Sequence, residues 1–248
     1  MSNSNSNSLF HFTKSSDILQ NILKNGFLPR YSLEDATWSG LTTLEFVAFP
    51  MVCFCDIPLE RINEHVGFYG SYGLGLSREW AIRNGLNPIF YLSKSSSLGS
   101  NFLSSLKAAV VADKTKPKDN HTTPQLHIIM AHMKPLSGTM VVAGKPVNKD
   151  FYHESEWRFV PNINDVPLAI SQTTYNKETK MGELNNALES KAMLAFTPED
   201  VRYIFVKGDA DIPPLVDFMN SQLSHISVAS MKILMTRITS LEHIAKDI

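Results

Sequence analysis

Apolar and polar positions in this chain fall into short alternating runs broken by helical spacing, so strands and helices are interleaved from the start. "LFHFT" (residues 9–13) reads as a strand. "SSDILQNILKNG" then places Ile18, Ile22 and Leu23 on one helical face, with Ser16 or Asp17 as cap and Gly26 as the stop. "FVAFPMVCFCDIP" is an apolar strand-like run interrupted by Pro50 and ended by Pro58. "LERINEHVGFYG" predicts a short helix, and "YGLGLS" predicts a strand whose glycines admit a close backbone neighbour. "REWAIRNG" gives a helix stopped by Gly85, and "NPIFYLS" a strand that begins after Pro88.

From residue 95 to about 140 the pattern becomes helical, with "SNFLSSLKAAVVAD" and "TPQLHIIMAHM" joined by the polar "KTKPKDNHT". This stretch reads as a helical insertion. Strands resume in "GTMVVAG" and "FYHESEWRFV", followed by a helix in "NNALESKAMLA", a strand in "VRYIFVKG", a helix in "PPLVDFMNSQL" and a final strand in "MKILMTRIT". Regular βαβ alternation and a Gly-rich strand-to-helix loop are both missing, so the expected class is α+β: mainly antiparallel sheets with flanking helices and the insertion.

One of these strands carries unusual charge. In an extended "FYHESEWRFV", Tyr152, Glu154, Glu156 and Arg158 share one face while His153, Ser155, Trp157 and Phe159 share the other. Same-face neighbours stand roughly 6.6 Å apart, where two carboxylates repel by about 2.5 kcal/mol at an effective dielectric near 20. Arg158 offsets that repulsion, so Glu156 is expected to stay ionised. Taken alone, such a ladder of charges most often marks a solvated strand face.

Composition narrows the function classes. With 248 residues, 43% of them hydrophobic, the chain can bury a large core, and one domain over residues 9–248 is expected behind a disordered tail, "MSNSNSNS", at residues 1–8. A net charge of −1 provides no global basic field for nucleic acid. "KTKPKD" with Lys107 is a small basic cluster that reads either as a solvated loop or as an approach to nucleic-acid phosphates. No apolar run approaches the roughly 20 residues of a membrane span, and the tail lacks a secretory h-region, so a cytoplasmic protein without a membrane partner is expected. Cys53 and Cys55 then read as reduced thiols. His127 and His132 lie about 140° apart around a helix, an awkward pair for a metal. HExxH, paired zinc cysteines, a P-loop and GxSxG are all missing from the sequence, and no metal site is expected.

Three elements remain: "HFT" at residues 11–13, the aromatic stretch from "CFCDIP" to "FYGSYG", and "ESEWR". Their order resembles the ADP-ribosyltransferase superfamily. "LFHFTK", "ILKNGFLPRYSLED", "PMVCFCDIPL", "YGSYGLGLSREWA", "NPIFYL" and "ESEWRF" resemble the AbiGi-type abortive phage resistance proteins more closely, over roughly residues 9–160. The AbiGi resemblance implies a role in phage defence, in some members as the antitoxin of a pair with a toxin.

The superfamily resemblance implies an ADP-ribosyltransferase-like split sheet and NAD as substrate. In that reading His11 and Thr13 bind NAD, and Phe54, Tyr69 or Tyr72 stacks on nicotinamide. Glu156 stabilises the oxocarbenium cation, as carboxylates do in glycoside cleavage, and Glu154 orients a protein or nucleic-acid acceptor. Arg158 either clamps a phosphate or pairs with one of the two acids. The expected function is thus an NAD-using ADP-ribosyltransferase or NAD glycohydrolase acting as a toxin-like effector, with a non-catalytic antitoxin as the alternative.

Overall fold

The computed structural model describes residues 7–41, 45–113, 123–142 and 145–246. The "KTKPKD" cluster and the first six residues of the expected tail lie outside these ranges. Ser8, assigned above to the tail, is buried and begins the first strand, where it faces Ser77.

In chain order the structure begins with β1 (Ser8–Thr13), α1 (Ser16–Asn25), β2 (Arg30–Asp35) and β3 (Phe46–Cys55). Then come α2 (Ile62–Tyr69), β4 (Tyr72–Ser77), α3 (Arg78–Arg83), β5 (Asn87–Pro88) and β6 (Phe90–Leu92). Two helices occupy the expected insertion, α4 (Ser97–Asp113) and α5 (Thr123–Ala131), followed by β7 (Met133–Pro135), β8 (Ser137–Val142), β9 (Lys145–Asp150) and β10 (Glu156–Phe159). The C-terminal part holds β11 (Ile170–Ser171), α6 (Gln172–Tyr175), α7 (Glu178–Lys191), β12 (Val201–Val206), α8 (Ile212–Gln222), α9 (Val228–Met235), β13 (Ile238–Ser240) and α10 (Leu241–Ile244).

The main sheet runs in the order β13-β12-β4-β1-β3-β10-β5, with β2 and β11 also paired to β3. Its ladders are antiparallel except for β12 with β13. The class is therefore α+β with mainly antiparallel sheets, as the interleaved pattern implied. Glycines in β4 let it lie close against β1: a Cβ on Gly73 would meet the His11 carbonyl oxygen at 2.6 Å.

Alternation along β1 separates two cores. Leu9 joins Leu19, Ile22, Leu23, Trp80, Leu215 and Met219 beneath the helices, whereas Phe10 and Phe12 join Ile57, Ile62, Phe205 and Leu241. The helix α1 is capped by Ser15, whose hydroxyl accepts from the Ile18 amide, one residue earlier than expected. Leu19 is buried in place of Ile18, which is exposed, and Gly26 ends the helix at φ 89°.

Three expected strands need correction. "MKILM" is helical: Ser227 caps α9 by accepting from the Ser230 amide, and Met231 and Leu234 are buried while Ile233 is exposed, a period-3.6 pattern inside an apolar run. "NPIFYLS" divides, because β5 pairs with β10 while β6 pairs in parallel with β7. "FYHESEWRFV" is extended only from Glu156. Residues Phe151–Glu154 form a 3-10 turn, and Ser155 adopts φ 44°, ψ 52°, a left-handed conformation that breaks the alternation before the second glutamate.

Candidate functional site

The strands β1 and β3 share one register pair, Phe10 with Cys55. Where they part, His11 replaces the backbone ladder: its Nδ1 donates to the Cys53 carbonyl at 2.8 Å. A carbonyl only accepts, so Nδ1 carries the proton, and burial pushes the imidazole below its ordinary pKa, leaving it neutral. A cleft of about 440 Å³ opens in this gap, within the range of small-ligand sites. His11, Phe54, Tyr69, Glu154 and Glu156 all line it, although they come from β1, β3, α2, the 3-10 turn and β10.

The remaining sequence candidates lie elsewhere. Thr13 and Tyr72 face each other at the far end of the β1–β4 ladder, and the Tyr72 hydroxyl donates to Asp211 at 3.3 Å. Neither lines the cleft, because two more residues of strand carry them past its wall. Phe54 reaches the cleft only from within the core. Its ring is held edge-on by Phe27 and Trp80 at centroid distances of 5.1 and 5.5 Å, leaving no open face on which a ring could stack.

The charged face of "ESEWR" is not solvated. Glu154, Glu156 and Arg158 are all buried, Arg158 completely. Its Nε donates to Glu156 Oε1 at 2.7 Å, Nη2 to Glu156 Oε2 at 3.3 Å and to Glu34 Oε2 at 3.1 Å, and Nη1 to the Ala131 carbonyl at 2.6 Å. Arg158 therefore lies behind the acid as its counter-ion and does not line the cleft. Lys134 on β7 completes the arrangement: its Nζ is 2.8 Å from Glu156 Oε2 and 3.2 Å from Glu154 Oε2, and it sits 5.0 Å over the Phe151 ring. The second oxygen of Glu154 meets Lys149 Nζ at 2.6 Å and accepts from the Tyr69 hydroxyl.

Three carboxylates (Glu34, Glu154, Glu156) thus face three cations (Lys134, Lys149, Arg158). Burial on its own would raise the Glu156 carboxyl, but Arg158 and then Lys134 outweigh it and hold the group well below the usual carboxylate range. Glu154 is lowered in the same way, burial being opposed chiefly by Lys134. Both acids are fixed as carboxylates, so neither serves as a proton donor near neutral pH. An oxygen held between ammonium and guanidinium groups also projects little negative potential into the cleft.

Sequence reasoning missed Lys134, Lys149, Glu34, His65 and Tyr91. The Tyr91 hydroxyl accepts from the Glu156 amide at 2.9 Å and fixes the start of β10. His65 stacks on Tyr69 at 4.4 Å, and burial lowers it to about 4. Burial first and Glu156 second push the thiol of the half-buried Cys53 well above its ordinary pKa, which disfavours the thiolate.

A family model described as "Putative abortive phage resistance protein AbiGi, antitoxin" matches residues 25–207, about three quarters of the chain. The chain belongs to the AbiGi family. An abortive phage resistance protein AbiGi of Lactococcus lactis subsp. cremoris is 27% identical to it over 251 residues, an alignment that covers 89% of this chain and 99% of the relative. The AbiGi match takes in β2, β3, the insertion helices and β10, hence every charged residue of the buried cluster. No solved structure matches the chain, so no ADP-ribosyltransferase fold neighbour stands beside the AbiGi assignment. Among the described residues no helix is long and apolar enough to cross a membrane.

Proposed function

We propose that this AbiGi-family protein acts in abortive phage resistance as the antitoxin of a pair, by binding a toxin rather than by catalysis. The observation that carries this reading is the saturation of the acid pair: all four oxygens of Glu154 and Glu156 meet a cation, at distances of 2.6 to 3.3 Å. A carboxylate that stabilises a developing cation needs its charge uncompensated toward the substrate, whereas a carboxylate that fixes a fold needs the reverse. The antitoxin description of the family model supports the same reading. Expression of the chain alone should leave bacterial growth unaffected, and co-expression with a cognate toxin should restore growth that the toxin suppresses. Growth arrest by this chain alone would overturn the proposal.

A second reading rests on a different observation, the convergence of His11, Tyr69, Glu154 and Glu156 on one cleft. In it the cleft takes NAD, and Glu156, once released from Lys134, supports nicotinamide loss as an ADP-ribosyltransferase or NAD glycohydrolase, the acceptor being water, protein or nucleic acid. Nicotinamide release from NAD by the purified chain, abolished in Glu156→Gln with NAD affinity unchanged, would establish it; no release would exclude it.

A further inference from the structure

The mouth of the cleft has a property that neither reading uses. Ser32, Leu33, Glu34 and Asp35 all line the cleft, and each is partly exposed. Successive strand residues point to opposite faces, so a cavity touched by four in a row meets the strand along its edge, not over one face. The strand in question, β2, pairs with β3 along its whole length, Arg30 with Met51 through Asp35 with Phe46, and among the described residues no strand pairs with its other edge. An open edge of this kind presents unpaired backbone donors and acceptors to any extended chain that reaches it.

Charge selects what that chain would carry. Four carboxylates line the cleft (Glu34, Asp35, Glu154 and Glu156) and one lysine, Lys134. Behind the wall Arg158 and Lys149 each bind members of the set, so four negative charges meet three positive ones and one remains. The remainder sits at the mouth. Asp35 Oδ1 accepts from the Thr37 amide at 2.7 Å, and among the described residues no cation pairs with it. Lys134 also shows what the cleft accepts: an ammonium between two carboxylates, placed against the ring of Phe151. Beside Asp35 the rim is apolar, with Leu33 half-buried and Phe46 36% exposed.

From these observations we propose that the β2 edge docks an extended basic segment of the partner protein, which adds as a strand and sends an arginine or lysine into the cleft mouth beside Asp35. The identity of that partner as the toxin rests on the antitoxin reading; the chemistry of the groove does not. Main-chain bonds to the edge supply affinity, and the acidic mouth supplies the preference for a cation. An arginine suits the site best, because its guanidinium can bind a carboxylate while lying against an aromatic ring.

The test uses the full chain and the blocked peptide Ac-Val-Arg-Val-Arg-Val-NH2, with Ac-Val-Glu-Val-Glu-Val-NH2 as control, in titration calorimetry at low and high salt. The arginine peptide should bind, the glutamate peptide should not, and binding should weaken as salt rises. Asp35→Asn keeps an acceptor for the Thr37 amide and preserves the fold; it should weaken binding about threefold, and Asp35→Lys about tenfold or more, with melting temperatures near that of the parent. No binding of the arginine peptide, equal binding of the two peptides, or unchanged affinity in both Asp35 variants would overturn the proposal. A dimer in solution that dissociates on Asp35→Lys would assign the edge to a second copy of this chain and overturn it as well. Failure of the chain to rescue cells from the toxin, with peptide binding intact, would sink the antitoxin reading alone.

Discussion

Lys134 and Glu156 come from different parts of the fold, one from the strand that closes the helical insertion and one from the main sheet, and their side chains meet at 2.8 Å. Burial pulls Lys134 down, but Glu156 and Glu34 outweigh it and keep the ammonium protonated. The contact is thus a permanent ion pair that fastens the insertion to the acid pair. Removing one partner strands the other. Lys134→Met should lower stability by about 3–5 kcal/mol, the range for breaking a buried pair. Urea unfolding at pH 7 measures this loss, and a loss below 1 kcal/mol would show that the pair contributes little. The variant should also become acid-sensitive at higher pH, because Glu156 and Glu154 then have less to hold their carboxyls down. A depressed acid gives stability that is present above its unfolded pKa of about 4.5 and is lost as pH falls through the folded value. Raising the folded value brings that loss on sooner.

Acid should weaken the parent protein in an earlier window for a second reason. His65 falls from 6.5 to about 4 on burial, so the unfolded chain takes up the proton first. Stability is then full above pH 6.5 and declines as pH drops toward 4, by up to roughly 3 kcal/mol before relaxation of the site. His65→Phe retains a ring to stack on Tyr69 and has nothing to titrate. Its unfolding midpoint should change less than that of the parent between pH 6.5 and 4.5; parallel curves would remove His65 as the cause, leaving the His11 imidazole to be tested the same way.

Local signals were legible where the period of the pattern and the packing agree. Helix α1 shows its stop glycine and two of its three buried residues in sequence, and the "YGLGLS" glycines announced the close approach that β4 makes to β1. "MKILMTRIT" misled because its contiguous apolar residues, Ile233 to Met235, are too few to show a decisive period, and the Ser227 cap that starts the helix lies before the segment. The site was half legible. His11, Tyr69, Glu154 and Glu156 do meet, but the break at Ser155 could not be read, since a left-handed serine has no sequence signature as glycine does. Lys134 and Lys149 stand in "HMKP" and "VNKD", which look like ordinary polar connections; their meaning lies in pairing partners 20 and 5 residues away.

Close packing between β4 and β1 makes Gly73 a sensitive position. A methyl group there would lie 2.6 Å from the His11 carbonyl oxygen and 2.8 Å from the buried Phe12 ring, which packs against Phe10, His65 and Phe205. Gly73→Ala should therefore force the strands apart and cost about 1–3 kcal/mol, the range for overpacking a tight interior. Gly182, on helix α7, makes the contrasting case, since a Cβ added there would meet nothing within 4 Å. Gly182→Ala should be stabilising by about 0.5–1 kcal/mol through helix propensity. Thermal unfolding of the two variants side by side checks both signs, and equal effects would contradict the packing described for β4.

Arg158 provides the strictest check on whether the charged cluster is architecture. Its guanidinium makes four bonds in three directions, to both oxygens of Glu156, to Glu34 on β2 and to the last carbonyl of α5. A lysine has the charge but not the planar fork, and it cannot reach all three partners from one nitrogen. Arg158→Lys should cost about 3 kcal/mol in urea unfolding, although it is conservative in charge. The exposed Arg202→Lys should cost less than about 0.5 kcal/mol. Hydrogen exchange adds a local readout: the amides of α5 should exchange faster in Arg158→Lys, because the helix loses the donor on its Ala131 carbonyl, while those of α8, on the far core, should follow only the global change. Equal costs for the two arginines, with α5 unaffected, would mean that Arg158 does not hold Glu156. Its carboxylate would then be open to the chemistry of the second reading.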